Sequence, residues 1–273
     1  MSRPLELHHL RESKLPFIDT HCHLDFDVFD SCRESLVQDC LKDGLTHLVL
    51  PGVTQAGWKK LLDVGQAISG ASIAPGLHPC FISQHLESHL EELRSLISTH
   101  RQLVVAVGEV GLDFFIDSPD LQKQRLFFEQ QIVVADSFDL PLLLHVRKAH
   151  DEVRQTIRRL KFTGGGIVHC YSGSLMQAEQ YLALGFKIGI GGVITFHNAH
   201  RLQKIAATLP LSAFVLETDA PDIPPEGWSG EFNTPKSLPE IVQAFCSHRS
   251  ESPEQIAKVL YENSVALFPQ LES

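Results

Sequence analysis

Apolar residues in this chain gather in short consecutive runs, at 17–19, 48–50, 71–74, 103–107, 142–144, 166–168, 187–190 and 214–216. Runs without polar alternation fit strands buried on both faces of a parallel sheet. The intervals between them are amphipathic. From about Leu121 to Ala135, Phe128, Ile132 and Ala135 recur at helical spacing with Gln and Glu between them, the mark of a helix with one apolar face. Ser252 before Pro253 is a second helix start, a capping hydroxyl ahead of a residue whose missing N–H is no loss in the first turn. That helix is expected to reach about Leu267. Strand and helix alternate eight times, which predicts an α/β fold, a single (β/α)8 TIM-type barrel, with a doubly wound open sheet as the second choice.

The polar residues 1–14 precede the first run and read as a loose N-terminal extension. Residues 15–273 read as one catalytic barrel domain, since such barrels run to about 250 residues as a single unit. After the eighth run, residues 221–235 form a long irregular stretch rich in Pro and Gly, and loops of that length often carry function. Lys and Arg number 23 against 33 Asp and Glu, a net charge of −10. That balance counts against tight sequence-independent binding to long duplex DNA, which needs its phosphates neutralised. Cys22, Cys32, Cys40, Cys80, Cys170 and Cys246 include no C-x-x-C pair, which argues against a zinc cluster or a disulfide framework. The N-terminus lacks an apolar run of signal-peptide length, and no stretch approaches about 20 apolar residues. The chain is therefore expected to be cytoplasmic, with no membrane partner. Composition adds one pointer to chemistry: 15 His without a poly-His tract.

In a barrel of this type the reactive residues stand at the carboxyl ends of the strands, so the positions after each run carry the test. The first run is followed by Thr20, His21, Cys22 and His23. Two histidines at i and i+2 on an extended segment face one side and can reach one ion. The fourth run leads into Gly108-Glu109-Val110-Gly111-Leu112-Asp113, the fifth into His145 and Arg147, the sixth into His169, and the eighth into Glu217, Thr218 and Asp219. A single histidine after a strand is more often a structural hydrogen bonder than a ligand, and an Asp before Ala-Pro is usually a turn residue. The joint pattern carries the argument, because His21, His23, His145, His169, Glu109 and Asp219 all fall at one end of the expected strands. Nitrogen and oxygen donors without a thiolate suit one or two ions of the Zn, Mg, Mn or Ni type. Cys22 and Cys170, neighbours of these donors, are expected to point the other way into the core.

The same blocks stand in order with Gly76-Leu77-His78-Pro79, Leu140-Pro141-Leu142-Leu143-Leu144-His145-Val146-Arg147, His169-Cys170-Tyr171-Ser172-Gly173, Glu217-Thr218-Asp219-Ala220-Pro221 and Tyr261-Glu262-Asn263. In that set, which covers nearly the whole chain, the sequence resembles the TatD family of metal-dependent hydrolases, and within it the YjjV-type branch. The resemblance implies two divalent metal ions per chain. His21, His23 and Asp219 would hold one, His145 and His169 the other, and Glu109 would bridge them. It also implies a hydroxide bridged by the two metals, which lower the pKa of a shared water from about 15.7 towards 7. Asp219 is then the general base that returns the proton to the leaving group. Two divalent ions, two carboxylates and a hydroxide leave about one positive charge, attractive to a phosphodiester.

The implied activity is hydrolysis of ester bonds, as a deoxyribonuclease acting on single-stranded DNA or DNA ends, without an obligate protein partner. A binuclear-metal hydrolase of a small carboxylic ester or amide is the alternative, and a non-enzymatic metal-binding protein the second. Arg147, on the strand face of His145, is expected to contact a substrate phosphate or to pair with a neighbouring carboxylate. His78 is expected to contact substrate or to cap its loop. Glu217 is expected to orient a ligand histidine through its free N–H. Asn233 either reaches the site or shapes a turn, and Asn263 reads as a buried hydrogen bonder. Nuclease members continue Gly-Leu-Asp with Tyr and a basic residue, whereas this chain has Phe114-Phe115-Ile116-Asp117. Phe114 and Phe115 either stack an unpaired base or pack beneath the loop. Tyr171 stands where many relatives have Phe and adds a hydroxyl near the site.

Overall fold

Each apolar run lies in or leads into a parallel strand, and each interval supplies helix. A computed structural model describes residues 15–117 and 119–272, so the expected extension at 1–14 lies outside the described residues. The strands are β1 (Phe17–Asp19), β2 (Leu45–Pro51), β3 (Ala71–Ala74), β4 (Val107–Asp113), β5 (Leu142–Arg147), β6 (Gly166–Val168), β7 (Phe186–Ile190) and β8 (Phe214–Leu216). Between and after them come α1 (Arg33–Lys42), α2 (Trp58–Ala67), α3 (Ser88–Thr99), α4 (Leu121–Ser137), α5 (His150–Leu160), α6 (Leu175–Leu182), α7 (His200–Thr208), α8 (Leu238–Cys246) and α9 (Pro253–Leu267). The Ser252 side chain accepts from the Gln255 N–H at 3.3 Å, so α9 starts at the expected cap. Asp120 caps α4 in the same way, accepting from Lys123 N–H at 3.0 Å.

The strands pair in sequential order, β1-β2-β3 and β4-β5-β6-β7-β8, all parallel. No reversal of strand order occurs among them, which sets aside the doubly wound sheet. Backbone hydrogen bonds join the two sheets at both seams. Ile73 N–H donates to Leu103 O and Val105 N–H to Ile73 O, each at 3.0 Å. On the other side Thr20 N–H donates to Leu216 O at 3.0 Å and Asp219 N–H to His21 O at 2.8 Å. This is the pattern that closure of an eight-stranded barrel requires.

The fourth strand differs from its expected place. Residues 103–106 of the run make only an isolated bridge, Val104 with Ile73, and β4 proper starts at Val107 and continues through Gly108 and Gly111 to Asp113. The missing side chain at Gly111 is what lets the strand pair closely. Gly111 has φ +150°, and a Cβ on it would sit 1.9 Å from His145 O, its partner across β5.

Alternation along the strands divides the apolar residues into two cores. Leu48, Leu50, Leu142 and Leu144 face outward against helix residues such as Leu61, Phe128 and Ile157. Ile18, Val49, Ala74, Leu143, Ile167 and Val215 form a second cluster, one from each of six strands, floored by Val265, Phe268 and Leu271 from the C-terminal segment. The inward parity continues past this layer, from Leu143 to His145, from Ile167 to His169 and from Val215 to Glu217. The interior cluster is thus the foundation on which the polar residues stand. No helix among the described residues is long and apolar enough to cross a membrane.

Phe268 is fully buried in that floor. Phe268→Ala is expected to destabilise the protein by about 3–5 kcal/mol, read as a lowered midpoint in chemical denaturation. An unchanged midpoint would show that the floor is dispensable.

Candidate metal centre

Glu109, carried inward by β4 and only 2 % exposed, lies among five imidazoles. Its Oε2 stands 3.3 Å from His21 Nε2 and 3.6 Å from His23 Nε2. Its Oε1 stands 2.8 Å from His145 Nδ1, 2.9 Å from His169 Nε2 and 3.2 Å from His78 Nε2. Asp219 Oδ1 is 3.6 Å from Nε2 of both His21 and His23. The fold therefore brings the six sequence-selected donors together, with His78 as a seventh polar group. Two sets of potential ligand atoms, His21 with His23 and Asp219, and Glu109 with His145 and His169, each lie within 4.8 Å of one another.

Several buried atoms here have no hydrogen-bond partner among the described residues: both ring nitrogens of His21, Nδ1 of His23 and His169, and Oε2 of Glu217. Buried polar atoms are normally satisfied, and convergent nitrogen and oxygen donors without partners are what a divalent ion fills. The donor set fits such ions.

Burial acts upward on the Glu109 carboxyl, but His78, His169 and His21 around it hold it well below the usual carboxylate range. Burial pushes His21 well below the ordinary imidazole value and His78 down to about 4. It also raises Asp219 above the usual range. Against burial, the nearby charges of Glu109 and Asp219 raise His169 to about 9.

Residues behind the cluster fix its geometry. Fully buried Asp19 ties the end of β1 to the end of β8. Its Oδ2 accepts from the Thr218 hydroxyl at 2.6 Å, and its Oδ1 from the N–H groups of Thr218 and His21 at 3.0 and 3.2 Å. Burial raises its carboxyl to about 7. Fully buried Glu217 accepts from Cys170 N–H at 2.6 Å and stands 3.9 Å from His169 Nδ1, and burial raises it to about 8. Gly189 on β7 leaves the space for it, since a Cβ there would lie 2.3 Å from Glu217 Oε2. Fully buried Asp113 accepts from His145 Nε2 at 2.8 Å and from Phe115 N–H at 2.8 Å. Gln124 of α4 clamps the Asp113 backbone from both sides, at 2.9 and 3.0 Å. Sequence reasoning selected neither Asp19 nor Asp113. A positional signal was present: Asp19 stands two residues before the His-x-His pair, and Asp113 follows Glu109 by four residues in one strand.

The remaining predicted residues separate by place. Arg147 is half exposed, 3.6 Å from Asp113 Oδ2, with its guanidinium 4.4 Å from the Phe115 ring centre. Lys148 Nζ lies at the same 4.4 Å from that ring. Phe115 is exposed, whereas Phe114 packs against the core. His78 Nδ1 accepts from Cys80 N–H at 3.0 Å, so it caps its turn and faces Glu109 at once. Asn233 is buried and donates to Thr218 O and Asp222 O, holding the loop after β8 rather than facing the cavity. Asn263 donates to Leu211 O and Phe214 O at 2.8 Å each, a buried structural contact. The Tyr171 hydroxyl donates to Ser174 O, away from the donors. Cys22 is buried in the outer core. A cavity of about 480 Å³ opens over the cluster, lined by His145, Arg147, His169, Ser172, Asp219 and Asp222 among others.

The TatD related DNase family model matches residues 18–269. The chain is 37 % identical over 252 residues to the uncharacterized metal-dependent hydrolase YjjV of Escherichia coli K12, covering 92 % of this chain and 97 % of that one. It is 28 % identical over 257 residues to the 3'-5' ssDNA/RNA exonuclease TatD of Pantoea vagans, covering 92 % and 98 %. The crystal structure of E. coli YjjV superposes with a TM-score of 0.90 at 36 % identity, over 94 % of this chain and 99 % of that one. With the geometry above, these similarities place the chain in the TatD family of metal-dependent hydrolases.

Proposed function

We propose that this hydrolase cleaves phosphodiester bonds in single-stranded DNA or at DNA ends, as one catalytic barrel over residues 15–273, in the cytoplasm. The observation that carries the reading is Glu109, whose two carboxylate oxygens face two separate sets of imidazoles. In this reading His21, His23 and Asp219 would hold one divalent ion, His145 and His169 would hold the other, and Glu109 would be shared between them. Bound there, such ions would supply a water of lowered pKa and polarise the oxygen of the scissile group. Zn, Mg, Mn and Ni all suit the donors.

The protein's own groups supply the rest. Asp219 is the acidic donor at the cavity wall. It accepts the proton of the attacking water and returns it to the leaving oxygen. Asp113 takes the hydrogen bond of His145 Nε2 and holds that ring in place, and Glu217 stands behind His169 at 3.9 Å from its Nδ1. Arg147 faces the cavity and offers its guanidinium to a phosphate. Exposed Phe115, with Arg147 and Lys148 against its ring, offers a face to an unpaired base. The exonuclease name of the Pantoea vagans relative supports a nucleic-acid substrate.

The test is hydrolysis of an end-labelled single-stranded oligonucleotide with Mg²⁺, Mn²⁺ or Zn²⁺, with a chelator control. A metal-dependent ladder is expected, and its absence from folded, metal-loaded protein would refute the phosphodiesterase reading. Asp219→Asn is expected to lower turnover by about 10²–10⁴-fold with an unchanged circular dichroism spectrum; full activity would remove Asp219 as the base. Glu109→Gln is expected to lower retention of both ions together after dialysis, measured by elemental analysis. Loss of one ion alone would contradict the bridging role. Phe115→Ala is expected to weaken oligonucleotide binding by about 1–3 kcal/mol in fluorescence anisotropy, and equal affinity would assign the ring to packing.

A further inference from the structure

On the outer flank of the Glu109 cluster a second group of donors converges. Cys80, in the short 3-10 turn Pro79–Gln84, is the one exposed cysteine among the described residues. Its Sγ lies 3.3 Å from Asp113 Oδ2. The same oxygen lies 2.8 Å from His145 Nε2, the ring nitrogen opposite the one that faces Glu109. Ligand atoms of His78, Cys80 and His145 lie within 4.8 Å of one another. A thiolate, an imidazole and a carboxylate together suit zinc and cadmium, whereas magnesium and manganese favour oxygen donors. The thiol has no part in the hydrolytic reading.

We propose that Cys80, Asp113 and His145, with His78 alongside, form a separate site for a thiophilic divalent ion, zinc or cadmium. Its occupation withdraws His145 from the metal centre and inhibits the enzyme. The inhibition rests on the metal-centre reading above, but the site itself does not.

The reason is the proton on one ring. A neutral imidazole carries one N–H and one lone pair. With the hydrogen on Nε2, His145 donates to Asp113 and presents the Nδ1 lone pair towards Glu109. With the hydrogen on Nδ1, it donates to Glu109 Oε1 and presents the Nε2 lone pair to the outer site. His145 therefore serves one site at a time. Ion binding at the outer site also displaces the Cys80 thiol proton to solvent, as thiolate ligation requires. Asp113 is fully buried while Cys80 is exposed, so an ion arriving from solvent meets the thiol first.

The experiment adds cadmium to the full protein with Mn²⁺ supporting the metal centre. It follows the ultraviolet cadmium–thiolate charge-transfer band beside hydrolysis of a bis-aryl phosphodiester. In the wild type the band and the inhibition are expected to rise together. Cys80→Ser is expected to keep its Mn²⁺-supported activity, lose the band, and need at least about tenfold more cadmium for equal inhibition. A band that survives in Cys80→Ser, or no band in wild type at inhibitory cadmium, overturns the site. Loss of the band with unchanged inhibition overturns the withdrawal of His145. A wild type that hydrolyses neither the bis-aryl ester nor an oligonucleotide refutes the metal-centre reading, and the absorption band still decides the cadmium site.

Discussion

A carboxylate kept out of water among five imidazoles is the constraint on which the rest of this structure depends. Glu109 is almost fully buried, and a charged group there is costly unless opposite charge and hydrogen-bond donors surround it. The histidines meet that need from four directions: the end of β1, the loop after β3, β5 and the end of β6. None of these elements can shift without exposing or stranding the others. The supports behind them have the same logic. Asp19 locks the first and last strands together, Glu217 stands behind His169, and Asp113 stands behind His145. Each is itself fully buried and held by backbone N–H groups, so the rigidity of the sheet is passed to the imidazoles.

The same construction explains why the apolar packing and the polar donors occupy different layers of one parallel-stranded interior. Inward-facing Ile18, Val49, Leu143, Ile167 and Val215 fill the lower interior with branched apolar side chains, and Phe268 closes it from below. Two residues further along β5, β6 and β8 the inward positions become His145, His169 and Glu217. A register slip of one residue would turn both layers outward at once. The apolar layer therefore specifies the register that the polar layer needs, and the carboxyl-end location of the site follows from strand direction.

Much of this was legible in the sequence because period and position carry it. Consecutive apolar runs marked the strands, and the six donors fell at the same end of them. The family blocks raised the same six residues by an independent route. What was hidden depends on tertiary contact. The apolar run ends at Val107, yet the fourth strand continues through Gly108 and Gly111, where the neighbouring strand approaches too closely for a side chain. Asp19 and Asp113 stand close to the donors in sequence, but that position does not separate a buried support from a turn residue, and only their partners reveal the difference. The Phe114-Phe115 pair shows the limit most clearly. Two identical neighbours divide into one packed ring and one exposed ring, because the strand has ended and the loop turns the second towards Arg147 and Lys148.

On the phosphodiesterase reading, local arrangement also reconciles the acidic chain with an anionic substrate. The net charge of −10 belongs to the whole surface, and beyond roughly 8 Å such charges are screened at physiological salt. Within the cavity the carboxylates of Glu109 and Asp219 are matched by imidazoles, and the rim carries Arg147 and Lys148 around an exposed aromatic ring. A long duplex would meet the repulsive surface along its length, whereas a frayed end meets only the cavity and its rim. A space of about 480 Å³ has the volume of a small ligand pocket rather than of a duplex groove. On the phosphodiesterase reading, the selection for ends and single strands therefore comes from two independent sources, the depth at which Glu109 is buried and the sign of the charge outside the rim.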